Sequence, residues 1–516
     1  MQSFNHFFGK VGVESKRLTA SQCNRVVPVL SQALPQLTIY ADSLCAIPGG
    51  LAAAARDGAV RKIIICGDVI AFEGVAATSA SLPIKVCDAN TANMTALRRQ
   101  VNYLRPILAG KHPSVGLGDR LGVATPGHIA AAGKSGFVLM LAQQSIREMT
   151  RTARTAQQVM DEAVFGIFQC GFTAGFGSDA DHLKTIEDVN VTAKAGFTFF
   201  TIDPSAHVDD TVNTASDAQL SQKLEKMIAD GVPGANNWKR AYLDKTFKAG
   251  KTTVCFDATT LLRAVVKYGR AVAHTETMVK HIAKVAPRHE IELSVDETAL
   301  PTSVAEHLFF AHELSERNVK IASLAPRYIG EFEKGVDYKG DLRAFEVALK
   351  DHAEIARHYG SYKLSIHSGS DKFTIYPIVA RVTHGLFHLK TAGTSYLEAL
   401  RVVARRDTAL FRELVSFCRE RFDTDKATYH ISATLAKVPP ATALKDADLE
   451  RIYLDENDGR QILHVTFGSV LTTIGADNTL SYRNRLLALL NREADLHVEV
   501  LKKHIGRHIE GLTAGL

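Results

Sequence analysis

The sequence predicts an α/β protein: a (β/α)8 barrel of the TIM type, preceded by a small N-terminal α/β extension and followed by a mainly helical C-terminal extension. Beyond residue 114, short apolar or glycine-rich segments alternate with helical stretches roughly eight times, the number of strands that closes a parallel barrel. Each segment ends in charged or polar residues, as strands do when their carboxyl ends build one site. A doubly wound open sheet would alternate similarly, so the number of units and the polar ends are what favour the barrel.

The pattern divides the chain into three regions, which are the N-terminal extension at 1–112, the barrel with its site at 113–400, and the C-terminal extension at 401–516. In the first region, alanine-rich composition predicts helices at 52–55 and 91–105. Within the barrel, the longer spacing at 209–252 predicts an insertion that carries the only tryptophan, Trp238. In the last region we expect a strand at 461–468 and one long helix at 481–509.

Composition restricts the classes of partner. Hydrophobic residues make up 46% and charged residues 22%, as in soluble globular proteins. The net charge of +6 is small for 516 residues, which argues against a nucleic-acid partner. No apolar run approaches the ~18 residues of a membrane span, so we expect no membrane partner. Seven cysteines without a Cys-x-x-Cys pair indicate free thiols and a cytoplasmic location, and helices outside the barrel would permit a homo-oligomer.

The densest polar cluster is the segment from Asp179 to Lys184, which holds two carboxylates, an imidazole and an ammonium. Apolar segments on both sides of it read as interior. Unpaired charges lose several kcal/mol on leaving water, so the cluster is either solvated or balanced by a metal and counter-charges. We interpret it as a metal or catalytic site, the alternative being a helix-capping or salt-bridged loop.

A metal site follows if the strand ends meet at one barrel mouth. Histidine and carboxylate side chains would then become neighbours although they are far apart in sequence; they are His182, Glu297, Glu331, His367 and Asp371. Such donors suit a divalent cation, either zinc, manganese, nickel or iron(II), and do not choose among them. Taken alone, His367 could instead be a hydrogen-bonded core histidine.

Other residues suit proton transfer and substrate binding. Asp181 and Glu297 are candidates for a general acid/base pair, although Glu297 could equally neighbour a helix N-cap. Strand ends also carry more cations than one metal site needs, which indicates an anionic or polyhydroxy substrate. Arg327, after Pro326, is the best fork for a carboxylate. The candidate substrate-binding residues are Asp119, Arg120, Gln144, Lys184, Arg327, Asp371 and Lys390.

Several long motifs together resemble the tagaturonate epimerase family. They include Gly116-Leu-Gly-Asp-Arg-Leu-Gly-Val-Ala-Thr-Pro-Gly-His, Gly177-Ser-Asp-Ala-Asp-His-Leu-Lys, Leu324-Ala-Pro-Arg-Tyr and Ile366-His-Ser-Gly-Ser-Asp-Lys-Phe. The likeness covers most of residues 115–510. It implies a divalent-metal-dependent interconversion of the ketohexuronates D-tagaturonate and D-fructuronate. The family's Asp-His step falls on Asp181 and His182, and its later acid and ligands fall on Glu297, Glu331 and His367.

On this basis we expect His182, Glu331 and His367 to hold the metal, Asp181 to act as base and Glu297 as acid. Adjacent Asp181 and His182 cannot both point along one strand face, so one of them must lie on a turn. The chemistry would be either retro-aldol and aldol steps or direct proton transfer. A metal-dependent aldolase or lyase, an idle sugar-acid binder, and activity on free ketohexoses such as fructose and tagatose are the alternatives.

Overall fold

Eight parallel strands close into a barrel in the computed structural model, which describes residues 16–516 except 68, 78–82 and 476–477. Each strand pairs with the next one along the chain, and the last pairs with the first. The strands are β1 Ser114–Leu117, β2 Val138–Ser145, β3 Gly177–Leu183, β4 Phe199–Ile202, β5 Glu290–Val295, β6 Ser323–Pro326, β7 Lys363–Ile366 and β8 Phe387–Thr391. The predicted barrel is therefore confirmed, and its strand ends meet at one mouth.

Helices surround the barrel and connect its strands. In chain order they are Thr125–Ala132, Ile146–Arg151, Ala156–Gln169, Ile186–Ala195, Asp217–Ala229, Trp238–Tyr242, Ala258–Val285, Val304–Glu316, Leu342–His358, Tyr376–Thr383 and Thr394–Arg406. Thr155, Thr185 and Ser303 begin three of them as capping boxes, so these helix starts are encoded locally. No helix in the described part of the chain is long and apolar enough to cross a membrane.

The connection between β4 and β5 is the long insertion expected around 209–252. It contains a two-stranded hairpin of Thr246–Ala249 and Thr252–Cys255 and ends in the 28-residue helix Ala258–Val285. Trp238 packs there against Gly269, where an added Cβ would lie 2.3 Å from the indole. The tryptophan is thus a core residue of the insertion.

The N-terminal extension is an antiparallel sheet with helices Ala20–Ala33 and Thr91–Gln100. Its strands are Lys16–Arg17, Thr38–Ile39, Cys45–Ile47, Gly50–Asp57, Val60–Gly67, Val75–Ala77 and Ile84–Asp88. The helix predicted at 91–105 is present over its first ten residues. The helix predicted at 52–55 is wrong, because Ala52–Ala54 pair with Ile63–Ile65 across a hairpin, Ala55 pairs with Lys62, and all four alanines are buried on the two faces of the sheet.

The C-terminal extension is helical, as predicted. Its α-helices are Thr408–Asp425, Asp446–Glu450, Asn457–Val465, Phe467–Thr472, Ser481–Arg492 and Ala494–Thr513. The strand predicted at 461–468 is wrong, since this segment forms the end of one buried helix and the start of the next. The helix expected at 481–509 is two helices, and the second packs on the barrel through Gly127, where a Cβ would lie 2.6 Å from Leu501.

A buried histidine pair joins two barrel helices. His307 Nδ1 lies 2.8 Å from His352 Nδ1, and His307 Nε2 lies 2.7 Å from the Tyr362 hydroxyl. Burial lowers the pKa of His352 to about 4, and burial with the neighbouring His352 lowers the pKa of His307 well below its usual value. Both rings are therefore neutral in the folded protein at neutral pH.

This pair predicts acid lability. Between pH 6.5 and 4 the unfolded chain protonates His352 whereas the folded chain does not, so stability is complete above pH 6.5 and falls as the pH drops. A shift from 6.5 to about 4 corresponds to about 3 kcal/mol for His352 alone. Denaturant unfolding at several pH values should show the free energy of unfolding falling as the pH drops from 6.5 to 4. In His352→Gln this dependence on pH should be weaker, by the equivalent of about one bound proton. The exposed His358→Gln is the control, and an equal slope in both variants would contradict the prediction.

Candidate active site

The carboxyl ends of the barrel strands surround a cavity of about 420 Å³. The lining residues are Arg120, Gln143, Ser145, Arg147, Glu148, Asp181, His182, Asp296, Glu297, Thr298, Pro326, Arg327, Tyr328, Gly330, Phe332, Lys334, His367, Ser368, Lys390, Ala392, Thr428, Tyr429 and His430. Most follow a barrel strand, and the last three come from the C-terminal extension. A concave, polar site at this face is where TIM barrels place their chemistry.

The end of β3 contains the turn that the adjacent Asp181 and His182 require. The pairing of β3 with β4 shifts register between Ala180 and Leu183, and His182 has a φ of 51°. A bulge re-aims side chains at a strand end. Here it brings both Asp181 and His182 to the cavity, although neighbours on a regular strand point to opposite faces.

His182 is oriented by a second carboxylate. Its Nδ1 lies 3.3 Å from Asp203 Oδ2, and its Nε2 lies 3.8 Å from Asp181 Oδ1. Burial opposes charge on this ring, but Asp181 and the hydrogen bond to Asp203 raise the pKa of His182 above its usual value. When Nδ1 of a histidine donates to a carboxylate, the ring is held in one orientation and Nε2 is free to bind a ligand, as in metal-binding histidines.

His367 lies beside His182, with ring centroids 5.0 Å apart. Its Nε2 lies 2.7 Å from Glu292 Oε1, and its Nδ1 lies 3.5 Å from Asp296 Oδ1. Burial and the Lys390 charge disfavour the imidazolium, but Asp296 and Glu292 outweigh them and raise the pKa of His367 to about 10. Without another cation the ring is therefore protonated, and a metal would replace that proton.

Lys390 is enclosed by three carboxylates. Its Nζ lies 2.8 Å from Asp179 Oδ2, 2.7 Å from Asp181 Oδ1 and 2.7 Å from Glu292 Oε1. Burial disfavours the charged ammonium, but these carboxylates raise its pKa above the usual value. Although burial also disfavours ionised Asp181, the charges of His182 and Lys390 hold its pKa below the usual range. Asp181 is thus an ionised carboxylate with one oxygen already bound.

The residues fit a divalent metal. Asp181, His182 and His367 each place one donor atom within 4.8 Å of the others. Two imidazoles with a carboxylate are a donor set for zinc, manganese, nickel or iron(II). Asp296 adds a carboxylate that forms no ion pair with lysine or arginine among the described residues; its side chain is 21% exposed and lies 3.5 Å from His367 Nδ1. A partly buried carboxylate of this kind is stabilised by a nearby cation, which is either the His367 imidazolium or a metal that replaces its proton.

Further predicted residues lie around the same cavity. Arg120 is buried and donates to Glu148 Oε1 from Nε at 3.0 Å and Nη2 at 2.6 Å. Glu297 is more exposed and lies 3.5 Å from Arg147. Arg327 lines the cavity, whereas Lys184 is not among the lining residues and lies 3.3 Å from Asp203 Oδ2 and 3.9 Å from Glu297 Oε2.

The structure does not bring Glu331 to the metal donors. Its carboxylate lies 2.5 Å from His430 Nε2 and is 47% exposed. The reason is the loop after β6, where the backbone of Glu331 forms an isolated bridge with Lys339. Glu333, two residues further along this loop, is the buried glutamate, and its carboxylate accepts hydrogen bonds from Ser432 and Gln461.

Asp371, Asp119 and Gln144, expected to bind substrate, also lie outside the cavity lining. Asp371 has a φ of 63° and turns away toward Arg460 and His504, at 2.9 and 2.7 Å. The carboxylate of Asp119 caps its own loop by accepting three backbone N–H groups, those of Leu121, Gly122 and Ala124. Adjacent side chains of a strand point to opposite faces, so Gln143 faces the cavity, whereas Gln144 points away from it and donates to Glu148.

Sequence reasoning did not select several cavity residues. Asp296 and Gln143 adjoin selected residues, so strand alternation could have identified them. Both amide atoms of buried Gln143, and the hydroxyl of Tyr328, have no hydrogen-bond partner among the described residues. Thr428, Tyr429 and His430 carry no local signal, since only the tertiary fold brings them to the barrel.

Comparison with known proteins identifies the family. The tagaturonate epimerase family model, UxaE, matches residues 40–512. The tagaturonate/fructuronate epimerase of Thermotoga maritima is 44% identical over 424 residues, covering 82% of this chain and 85% of that protein. The glycerol-bound crystal structure of the Cohnella laeviribosi fructuronate-tagaturonate epimerase matches with a TM-score of 0.88 at 36% identity, over 96% of this chain and 99% of that one. The native Cohnella structure has the same TM-score at 35% identity. The predicted resemblance is confirmed: this chain belongs to the tagaturonate epimerase family.

Proposed function

We propose that this chain interconverts D-tagaturonate and D-fructuronate by inverting C4, with a divalent metal ion as cofactor. Family membership supports the reaction. The single observation that supports the metal is the convergence of two histidines with carboxylates: donor atoms of Asp181, His182 and His367 lie within 4.8 Å of one another, and Asp296 lies 3.5 Å from His367 as a second carboxylate.

The reaction's chemistry favours carbon–carbon bond cleavage over direct proton transfer. The C4 hydrogen is β to the C2 ketone and is not acidified by it. Removal of the C4 hydroxyl proton instead allows the C3–C4 bond to break, leaving an enediolate on one fragment and an aldehyde on the other. Rotation of the aldehyde and re-formation of the bond invert C4. A bound metal ion would supply Lewis-acid stabilisation of the negative charge on the ketone oxygen.

Charge balance divides the roles among the carboxylates. We assign His182, His367 and Asp296 to the metal, because Asp296 lines the cavity, lies 3.5 Å from His367 and has no lysine or arginine partner among the described residues. Asp181 is assigned as the base for the C4 hydroxyl. It is ionised, it lines the cavity, and its bond to Lys390 holds it in place. Glu297, at the more open side, is assigned as the acid.

Metal removal tests this function directly. Chelator-treated protein should lose activity on D-tagaturonate by about tenfold or more, and one or more of zinc, manganese, nickel and iron(II) should restore it. Product analysis by chromatography should show D-fructuronate. Three-carbon products would instead indicate an aldolase or lyase, and binding without turnover would indicate a sugar-acid binder.

His182→Ala is the matched variant for that experiment. It should not regain activity with any ion, and its metal content should fall. Full activity of the chelated protein, with no metal detected by elemental analysis, would contradict the metal requirement but not the epimerase reaction.

A further inference from the structure

The cavity has two cations that form no ion pair with a carboxylate of the described residues, and a third whose ion pair is long. Two of its five lysine and arginine side chains are balanced: Arg120 by Glu148 and Lys390 by three acids. In contrast, Lys334 and Arg327 form no ion pair within the described residues, and Arg147 lies 3.5 Å from the half-exposed Glu297. A cation that faces a cavity without a carboxylate partner can bind an anionic ligand there.

Lys334 has the most defined position among these three cations. Its Nζ donates to the hydroxyl of Ser368, the residue that follows His367, so the ammonium lies beside the candidate metal donors without contacting them. Burial and the nearby Arg147 guanidinium lower the pKa of Lys334, and the more distant carboxylates of Asp296, Glu148 and Glu297 offset this only in part. A carboxylate bound directly to the Lys334 ammonium would supply the ion-pair partner that the described residues do not.

Buried residues hold the loop that carries Lys334. Lys372 Nζ donates to the backbone carbonyls of Glu333 at 2.8 Å and of Val336. Arg460 Nε donates to Gly335 O at 2.9 Å, and Gln461 Nε2 donates to Lys334 O at 3.3 Å. Contacts on both sides of Lys334 therefore fix its backbone before any ligand binds. Such preorganisation lowers the ordering cost of binding.

We propose that Lys334, with Arg147 beside it, binds the C6 carboxylate of the substrate and thereby sets the preference for ketohexuronates over neutral ketohexoses. This rests on the proposed function for the identity of the substrate. D-Tagaturonate and D-tagatose differ only at C6, which is a carboxylate in the first and a hydroxymethyl group in the second. A subsite that reads this difference needs a charged donor, because a hydroxymethyl group offers nothing for an ammonium to neutralise.

Lys334 differs from Arg327, the carboxylate fork expected from sequence. Arg327 also lacks an ion pair, and its buried Nε has no hydrogen-bond partner in the described structure. Among the described residues, the hydrogen bonds of Arg327 are made by its backbone, whose N–H donates to the Thr302 hydroxyl at 3.0 Å. Lys334 forms hydrogen bonds through both its Nζ and the backbone on either side of it, so its ammonium is held more firmly than the Arg327 guanidinium.

Binding rather than turnover tests the proposal. Calorimetric titration of the metal-loaded protein with D-tagaturonate and with D-tagatose gives a ratio of affinities for wild type. In Lys334→Met this ratio should fall by about 10- to 100-fold, the loss expected for a charge-assisted hydrogen bond to a carboxylate. Lys334→Arg keeps the charge and should retain most of the ratio. The exposed Lys320→Met, before β6 at the far end of the barrel, is the control and should not change the ratio.

Other outcomes overturn the proposal. If Lys334→Met weakens both ligands equally, the residue supports the cavity without reading the carboxylate. If Arg327→Met lowers the ratio and Lys334→Met does not, the carboxylate binds Arg327 and not Lys334.

A different result separates this proposal from the proposed function. Wild-type protein that binds D-tagaturonate in preference to D-tagatose but does not convert it would refute the proposed reaction and leave the carboxylate subsite supported.

Discussion

Asp181→Asn should lower kcat for D-tagaturonate by about 10²- to 10⁴-fold while metal content and substrate affinity stay close to wild type. Asparagine has the same shape but cannot accept the C4 hydroxyl proton. It can still accept the hydrogen bond from Lys390, which also keeps Asp179 and Glu292 as partners, so the local charge remains balanced. The measurement is steady-state kinetics with elemental analysis of the same sample.

The matched variant is Asp296→Asn, at the carboxylate assigned to the metal. It should lose metal as well as activity. If Asp181→Asn loses the metal and Asp296→Asn keeps it, the two roles are exchanged and Asp181 is a ligand.

Lys390→Met should destabilise the folded protein by about 3 to 5 kcal/mol, the cost of leaving buried charges uncompensated. The Lys390 side chain is 3% exposed and those of Asp179 and Glu292 are 0% exposed, so water cannot replace the ammonium. Three carboxylates would then share the strand ends without their central cation. The free energy of unfolding, measured in urea at neutral pH, is the readout.

Lys350→Met is the control for this substitution. Lys350 is 59% exposed and pairs with Glu346 on one helix, so its loss should change stability by less than about 1 kcal/mol. Adding Asp179→Asn to Lys390→Met should recover part of the loss by removing one unpaired charge. Equal stability of Lys390→Met and Lys350→Met would mean that the carboxylates around Lys390 do not carry charge in the folded protein.

Much of the barrel is predictable because its strands are short, apolar and followed by polar residues. The N-terminal sheet shows the limit of this reasoning. The alanines at 52–55 favour a helix locally, but pairing with Ile63–Ile65 overrides that preference. The helix Asn457–Val465 shows the opposite error, since a short apolar run has no period that separates a strand from a buried helix.

The residues of the candidate site differ in the same way in how far local sequence predicts them. Asp181, His182 and His367 could be predicted because each lies at or just after the carboxyl end of a barrel strand. Glu331 could not be placed, because a loop rather than a strand sets its direction. The lining residues from the C-terminal extension could not be predicted from local sequence, since they reach the mouth through packing between regions.

The C-terminal wall of the cavity has a consequence for biosynthesis. The last barrel strand ends at Thr391, yet Tyr429 and His430 line the site, and His504 binds the segment after β7 through Asp371. A ribosome that has released all eight strands has therefore not yet supplied a complete pocket. We expect the nascent chain to complete this pocket only when nearly the whole polypeptide has emerged.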